Sequence, residues 1–158
     1  MVTTLLTTHH VGGRAGTRTF PSMKYFEKDL VNVLYEADES SISGIKKETH
    51  YLPSKTIILP DCLSGSAGKR KFYIYNNRYF SSLYPLKPEQ TGAYSFDSQF
   101  GWDTDPKALS IVETLTLDTV TLDEVVKREK SENIPSPDFL SLDTQGSELE
   151  ILKGGEFA

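Results

Sequence analysis

Asp138-Phe139-Leu140-Ser141-Leu142-Asp143-Thr144-Gln145-Gly146-Ser147-Glu148-Leu149-Glu150-Ile151-Leu152-Lys153-Gly154 carries the clearest structural pattern in the chain. An apolar run of strand length leads into an acid, then a glycine turn, then a short amphipathic helix. In an α/β sheet the carboxyl end of a strand is where ligands sit and where a polar side chain reaches them. Asp143 is therefore the first candidate for chemistry.

Working back from this stretch, short β-rich runs alternate with glycine, proline or helical segments, the pattern of an α/β protein. Val2 to Thr8 reads as a strand leading into the glycine turn Gly12-Gly13-Arg14-Ala15-Gly16. A short helix is predicted over roughly Thr19 to Lys28, with Pro21 in its first turn. Val31 to Tyr35 reads as a second strand ending on Glu36, Asp38 to Thr49 as a weak helix broken by Gly44, and Lys55 to Leu59 as a third strand ending at Pro60-Asp61. The middle departs from this rhythm. Lys71 to Tyr75 and Ile111 to Val120 predict an antiparallel pair, an inserted hairpin within a β-rich insertion at about 69–120. Between them lie Ser81-Ser82-Leu83-Tyr84-Pro85 and an aromatic stretch from Gly92 to Trp102, long enough for a functional or mobile loop. Thr121-Leu122-Asp123-Glu124 has capping-box spacing, and Asp123 with Lys127 and Glu124 with Arg128 predict i,i+4 pairs on a solvated helix face.

Composition narrows the class. A chain of 158 residues, 37% hydrophobic and 25% charged, reads as one soluble globular domain with a single core. With 17 Lys and Arg against 22 Asp and Glu, the net charge of -5 gives no general pull toward nucleic acid or anionic membrane, and Lys69-Arg70-Lys71 is too short to change that. The single Cys62 excludes an internal disulfide and fits a reducing compartment. No run approaches eighteen apolar residues, and the N-terminus lacks the basic start and apolar centre of a signal peptide. A cytoplasmic location is expected.

If the sheet is parallel, its strand ends make a constellation. Gly12, Gly13 and Gly16 let the backbone turn sharply and approach a ligand. Glu36, about twenty residues beyond the glycines, can accept bonds from ribose hydroxyls, and Asp61 can meet a base amino group. Together they predict an adenosine pocket. The alternatives are a simple strand-to-helix connection for the glycines, whose spacing is not G-x-G-x-x-G, and a surface carboxylate for Glu36.

The order of motifs then resembles one family. His10-Val11-Gly12-Gly13-Arg14-Ala15-Gly16, Val33-Leu34-Tyr35-Glu36-Ala37-Asp38, Lys71-Phe72-Tyr73-Ile74-Tyr75 with Ser81-Ser82-Leu83-Tyr84, Thr121-Leu122-Asp123 and Asp138 to Gly154 resemble the FkbM family of S-adenosylmethionine-dependent methyltransferases. The final segment, like that family's Asp-x-(Glu/Gln)-Gly-x-Glu signature, is the most specific part. The resemblance implies a Rossmann-like class I sheet, mostly parallel, S-adenosyl-L-methionine as cofactor, and methyl transfer to an oxygen of a sugar or other small-molecule acceptor. Two departures stand out. His10 occupies the position where the family's first motif usually carries an acid, and the chain stops at Ala158 where the family domain continues into further strands. A C-terminally truncated, single incomplete domain is therefore expected, with an exposed sheet edge beside the Asp143 strand as a possible route to self-association.

Methyl transfer to a hydroxyl needs an aligned acceptor and a group to take its proton. Asp143 is read as that base or as an acceptor-orienting group, the alternative being that it bonds the backbone of the Gly146 turn. His10 or His9 is a second candidate base. By family analogy Ser81 and Ser82, on the tip of the inserted hairpin, line the cofactor or acceptor mouth; the alternative is an ordinary turn. Glu148 is read as a first-turn acid favourable to the helix dipole. No metal site is expected. His9 and His10 point to opposite faces of a strand, His50 stands alone near a helix end, and Asp103 and Asp105 beside Pro106 read as a turn. Cys62 reads as a small buried residue, and Ser64-Gly65-Ser66 as a turn. Two other functions stay open: a non-catalytic remnant of the fold acting in binding or assembly, and a nicotinamide-dependent oxidoreductase.

Overall fold

A computed structural model describes residues 6–12, 25–50, 54–87, 107–129 and 134–158. The predictions for Val2 to Leu5, Gly13, Gly16, the start of the Thr19–Lys28 helix, the Gly92–Trp102 stretch, Asp103 and Asp105 fall outside these residues.

Among the described residues four parallel strands form the main sheet: β1 (Leu6–Val11), β2 (Leu30–Tyr35), β3 (Lys55–Leu59) and β7 (Phe139–Leu142), in the order β3-β2-β1-β7. Each is rich in the branched and aromatic side chains that suit a pleated, buried surface. β1 continues past the predicted end at Thr8 and takes in His9 and His10. Because β1 has β2 on one side and β7 on the other, chain order reverses between β1 and β7, the switch point at which α/β sheets open a crevice. Among the described residues β3 and β7 are the edge strands, β7 on the switch-point side. β7 is pinned to β1 from below by Asp138, whose carboxylate accepts from Thr7 N at 2.8 Å and whose N–H donates to Thr7 O at 2.8 Å.

A second sheet has the order β4-β6-β5, from β4 (Cys62–Leu63), β5 (Gly68–Tyr75) and β6 (Ile111–Val120). The predicted antiparallel pair is present as β5 and β6, and β4 adds to it in parallel. Ser82 is not at a hairpin tip; it folds back to bridge Tyr73.

Among the described residues three α-helices accompany the sheets. α1 (Glu39–Thr49) starts at Asp38, whose carboxylate accepts from Ser40 N at 3.2 Å. It runs unbroken through Gly44, contrary to the predicted break: a single interior glycine costs about 1 kcal/mol, which the cap and the burial of Ile45 and Thr49 offset. Instead of a helix reaching Lys28, residues Glu27–Asp29 make one 3₁₀ turn without a side-chain cap. α2 (Leu122–Glu129) begins with the predicted capping box, Glu124 N donating to Thr121 Oγ1 at 3.1 Å and Thr121 N to Glu124 Oε2 at 2.8 Å. The predicted i,i+4 pairs give way to other bonds. Glu124 serves the cap, Asp123 accepts from Phe157 N, and Arg128 reaches Asp61. α3 (Glu148–Lys153) follows the Gly146 turn.

One core fills the space between the sheet and α2. Val11, Val31, Val33 and Tyr35 from alternate strand positions meet Leu122, Val125 and Val126 of α2 and Ile151 of α3. Burying each of the fully enclosed aliphatic side chains stabilises the fold by roughly 1.5–3 kcal/mol.

β1 departs from the apolar composition usual for a parallel strand. On one face Thr8 Oγ1 donates to Asn32 Oδ1 at 2.6 Å, and Asn32 Nδ2 donates to Ser54 Oγ at 2.8 Å, which links these three buried polar side chains. On the other face His9 Nε2 lies 3.2 Å from Pro135 O and Nδ1 lies 2.9 Å from Tyr35 Oη. Since a carbonyl only accepts, Nε2 carries the proton and Nδ1 accepts from the tyrosine.

Burial lowers both His9 and His10 to about 4 from the usual 6.5, and the neighbouring His9 adds to the effect on His10. The unfolded chain therefore binds more protons than the folded one between pH 6.5 and 4, and stability is lost as pH falls through that window. Urea denaturation at pH 5 should give a folding free energy lower than at pH 7 by roughly 2 kcal/mol per histidine. His9→Gln and His10→Gln should flatten that dependence, and a stability unchanged from pH 7 to 5 would contradict the neutral, buried state of both rings.

Candidate active site

The carboxyl ends of β1, β2, β3 and β7 open onto one cleft with about 530 Å³ of free space, part of it open to solvent. Gly12, Glu36, Asp61 and Asp143 all line it.

Gly12 ends β1 with φ +73°, a left-handed conformation that favours glycine, and a Cβ there would lie 2.1 Å from the Asp143 carbonyl oxygen. Asp143 N donates to Val11 O at 2.9 Å. The absence of a side chain at Gly12 thus lets the ends of β1 and β7 close on each other at the switch point.

Glu36 follows β2 and is buried. Its N–H donates to Leu59 O at 3.0 Å, and its Oε1 accepts from Asp38 N at 2.8 Å, which fixes the carboxylate at the cleft. Asp38 in turn accepts from Ser40, Ser41 and Arg78, and these bonds hold its carboxyl below the ordinary range although burial opposes them. Arg78, from the 3₁₀ turn Arg78–Phe80, lines the cleft as its cationic member. Asp61 follows β3 and is held by Arg128 through both oxygens, at 3.1 and 2.7 Å.

Asp143 follows β7. Burial, and then the nearby Glu148 carboxylate, raise its pKa, while a 2.8 Å bond from Gln145 Nε2 to Oδ1 opposes them. The backbone of the Gly146 turn is not bonded by the Asp143 side chain, the alternative considered from sequence. Glu148 does this instead, accepting from Thr144 N at 2.9 Å and from Gly146 N at 2.9 and 3.1 Å; these bonds outweigh burial and hold its carboxyl low. Gln145 has φ 58°, unusual for a residue with a side chain and a small store of strain beside the cleft.

Ser82 is not among the cleft-lining residues, whereas its neighbours Ser81 and Leu83 are. Its Oγ lies 3.0 Å from both Thr144 O and Gln145 O, and it accepts from Tyr84 N at 3.1 Å, so it ties the second sheet to the Asp143 turn. His10 is buried in mid-sheet, paired in register with Leu34 and Ser141, and is also absent from the lining. With its basicity lowered to about 4 it is a poor proton acceptor at neutral pH. His9, bonded to Pro135 and Tyr35, faces the core. Gly13 and Gly16 lie outside the described residues.

Sequence reading expected only Ser81 and Ser82 of the insertion at the mouth and missed its Phe72, which with Leu83 and Cys62 gives the cleft an apolar wall. It also missed the Asp38–Arg78 pair. The signal for Asp38 was present, an acid just ahead of Glu39-Ser40-Ser41 as an N-cap. Cys62 is buried as expected, and its thiol is pushed up to about 12, which keeps it protonated. Among the described residues no three His, Cys, Asp or Glu side chains gather where they could hold a metal ion, and no helix is long and apolar enough to cross a membrane.

A mostly parallel sheet in this order, with an acid or glycine at successive strand ends around a cleft at the switch point, defines a Rossmann-like fold of the methyltransferase kind. The chain belongs to the FkbM methyltransferase domain family, whose model matches residues 10–158. No curated protein and no solved structure matches it.

Proposed function

We propose that the chain is an S-adenosylmethionine-dependent methyltransferase of the cytoplasm that methylates an oxygen of a sugar or other small-molecule hydroxyl. The observation that carries this reading is the meeting of Gly12, Glu36, Asp61 and Asp143 on one cleft at the switch point. The donor set fits the cofactor. Glu36 and Asp61 are acceptors, suited to ribose hydroxyls and an exocyclic amine. Phe72, Leu83 and Cys62 offer an apolar wall for a base, and among the described residues the lining carboxylates outnumber the cationic Arg78, which suits a sulfonium cation.

When bound, S-adenosylmethionine supplies an electrophilic methyl group on its sulfonium. Asp143 orients the acceptor hydroxyl and takes its proton at a carboxylate oxygen. Its raised pKa makes it a stronger base than an ordinary aspartate, and Gln145 steadies Oδ1. Glu148 and Ser82 hold the turn that carries Asp143. His10 takes no part in proton transfer.

One observation favours a second reading, a binding or assembly domain without catalysis. His10, buried and neutral at physiological pH, stands where related first motifs carry an acid. Both readings meet the same experiment. The purified chain is incubated with methyl-tritiated cofactor and a panel of sugars and polyols. Label transferred to a hydroxyl supports the enzyme; cofactor binding with no transfer to any member supports the second reading.

A further inference from the structure

Asp61 and Arg128 are far apart in sequence, one after β3 and one in the last turn of α2 (Leu122–Glu129), yet they form a two-point ion pair at the rim of the cleft. Guanidinium Nη1 meets Oδ1 at 3.1 Å and Nη2 meets Oδ2 at 2.7 Å. A fork of this kind fixes the plane of the carboxylate as well as its position, which a single lysine-type contact does not. Each oxygen keeps a second lone pair, and Asp61 lines the cleft beside apolar Cys62, Leu63 and Phe72. The side chain of Asp61 is 13% exposed and that of Arg128 49%, so the acid sits inside and its clamp outside.

We infer that Arg128 is a specificity-determining positioning residue, which holds Asp61 so that the base end of the cleft accepts a purine bearing an exocyclic amine and rejects one bearing a carbonyl at that position. This rests on the adenosyl reading of the cleft. An amino group donates to a fixed carboxylate oxygen. A carbonyl there places two acceptors against each other, and the unfavourable contact persists only while the carboxylate cannot turn away. Freed of its clamp, Asp61 can rotate toward water and the discrimination falls.

The test is calorimetric binding of S-adenosylhomocysteine and its inosine counterpart to the full chain. The wild type is expected to prefer the adenine form by about 10- to 100-fold. Arg128→Ala should bring that ratio to within a few-fold of unity, and Arg128→Lys should fall between. Asp61→Asn, which offers an amide N–H to the carbonyl, should raise relative affinity for the inosine form. A purely structural Arg128 would weaken both ligands alike, so an unchanged ratio in Arg128→Ala overturns the inference. If Arg128→Ala does not fold, an unchanged ratio in both Arg128→Lys and Asp61→Asn overturns it equally. Failure of the wild type to bind either compound overturns the adenosyl reading itself, and this inference with it.

Discussion

Gly12→Ala is expected to lower the melting temperature by about 6–12 °C, the equivalent of roughly 3 kcal/mol in a domain of this size. Two costs combine. A side chain at φ +73° costs roughly 1–2 kcal/mol in a left-handed conformation. The new methyl group also lies 2.1 Å from the Asp143 carbonyl oxygen and 3.0 Å from its carbonyl carbon. Both clashing atoms are backbone, so relief requires separating β1 from β7 and breaking the 2.9 Å bond between Asp143 N and Val11 O. Since Gly12 and Asp143 both line the cleft, the same variant should lose cofactor binding. Circular dichroism melting checks the first effect. A melting temperature within 1–2 °C of wild type would show that the two strand ends do not meet as described.

Asp143→Asn should reduce methyl transfer by about 10²- to 10⁴-fold, the usual contribution of a positioned general base. Stability should hold or rise. In the folded chain burial and Glu148 disfavour the charged carboxylate, so ionisation of Asp143 costs folding free energy, and a neutral amide removes that cost. An asparagine can still accept from Gln145 Nε2, which preserves the turn. Wild-type kcat/KM should fall as acid protonates Asp143, and the acidic limb should vanish in the variant. Steady-state assays of both proteins from pH 4 to 8, with thermal melts alongside, separate this loss from unfolding. A variant with full activity would remove Asp143 from the chemistry.

The parallel frame was legible because its signals are local. Val31 to Tyr35 and Lys55 to Leu59 have the length and branching of buried strands, and Thr121 with Glu124 carries its own cap. The candidate cleft was legible to the extent that it depends on strand ends, where an acid or glycine after an apolar run marks the rim. What stayed hidden is long-range. Nothing near Arg128 in sequence tells it to prefer Asp61 over Glu124; that choice arises because the cap has already claimed Glu124. In the same way, Glu148 rather than Asp143 supports the Gly146 turn because the start of α3 brings its side chain back over Thr144 N and Gly146 N. Gly44 illustrates a weak local rule overridden by a cap and by packing, and Phe72 a wall residue visible only once β5 has found β6.

The most direct measurement is isothermal titration of the full chain with S-adenosylhomocysteine, beside Glu36→Gln. If the strand ends form an adenosyl site, the wild type binds one equivalent with a Kd on the order of micromolar, and the variant, which keeps the shape of Glu36 but gives up its charge, binds about tenfold more weakly. Absence of binding by the folded wild type, or identical binding by Glu36→Gln, would contradict the placement of an adenosyl group against the end of β2.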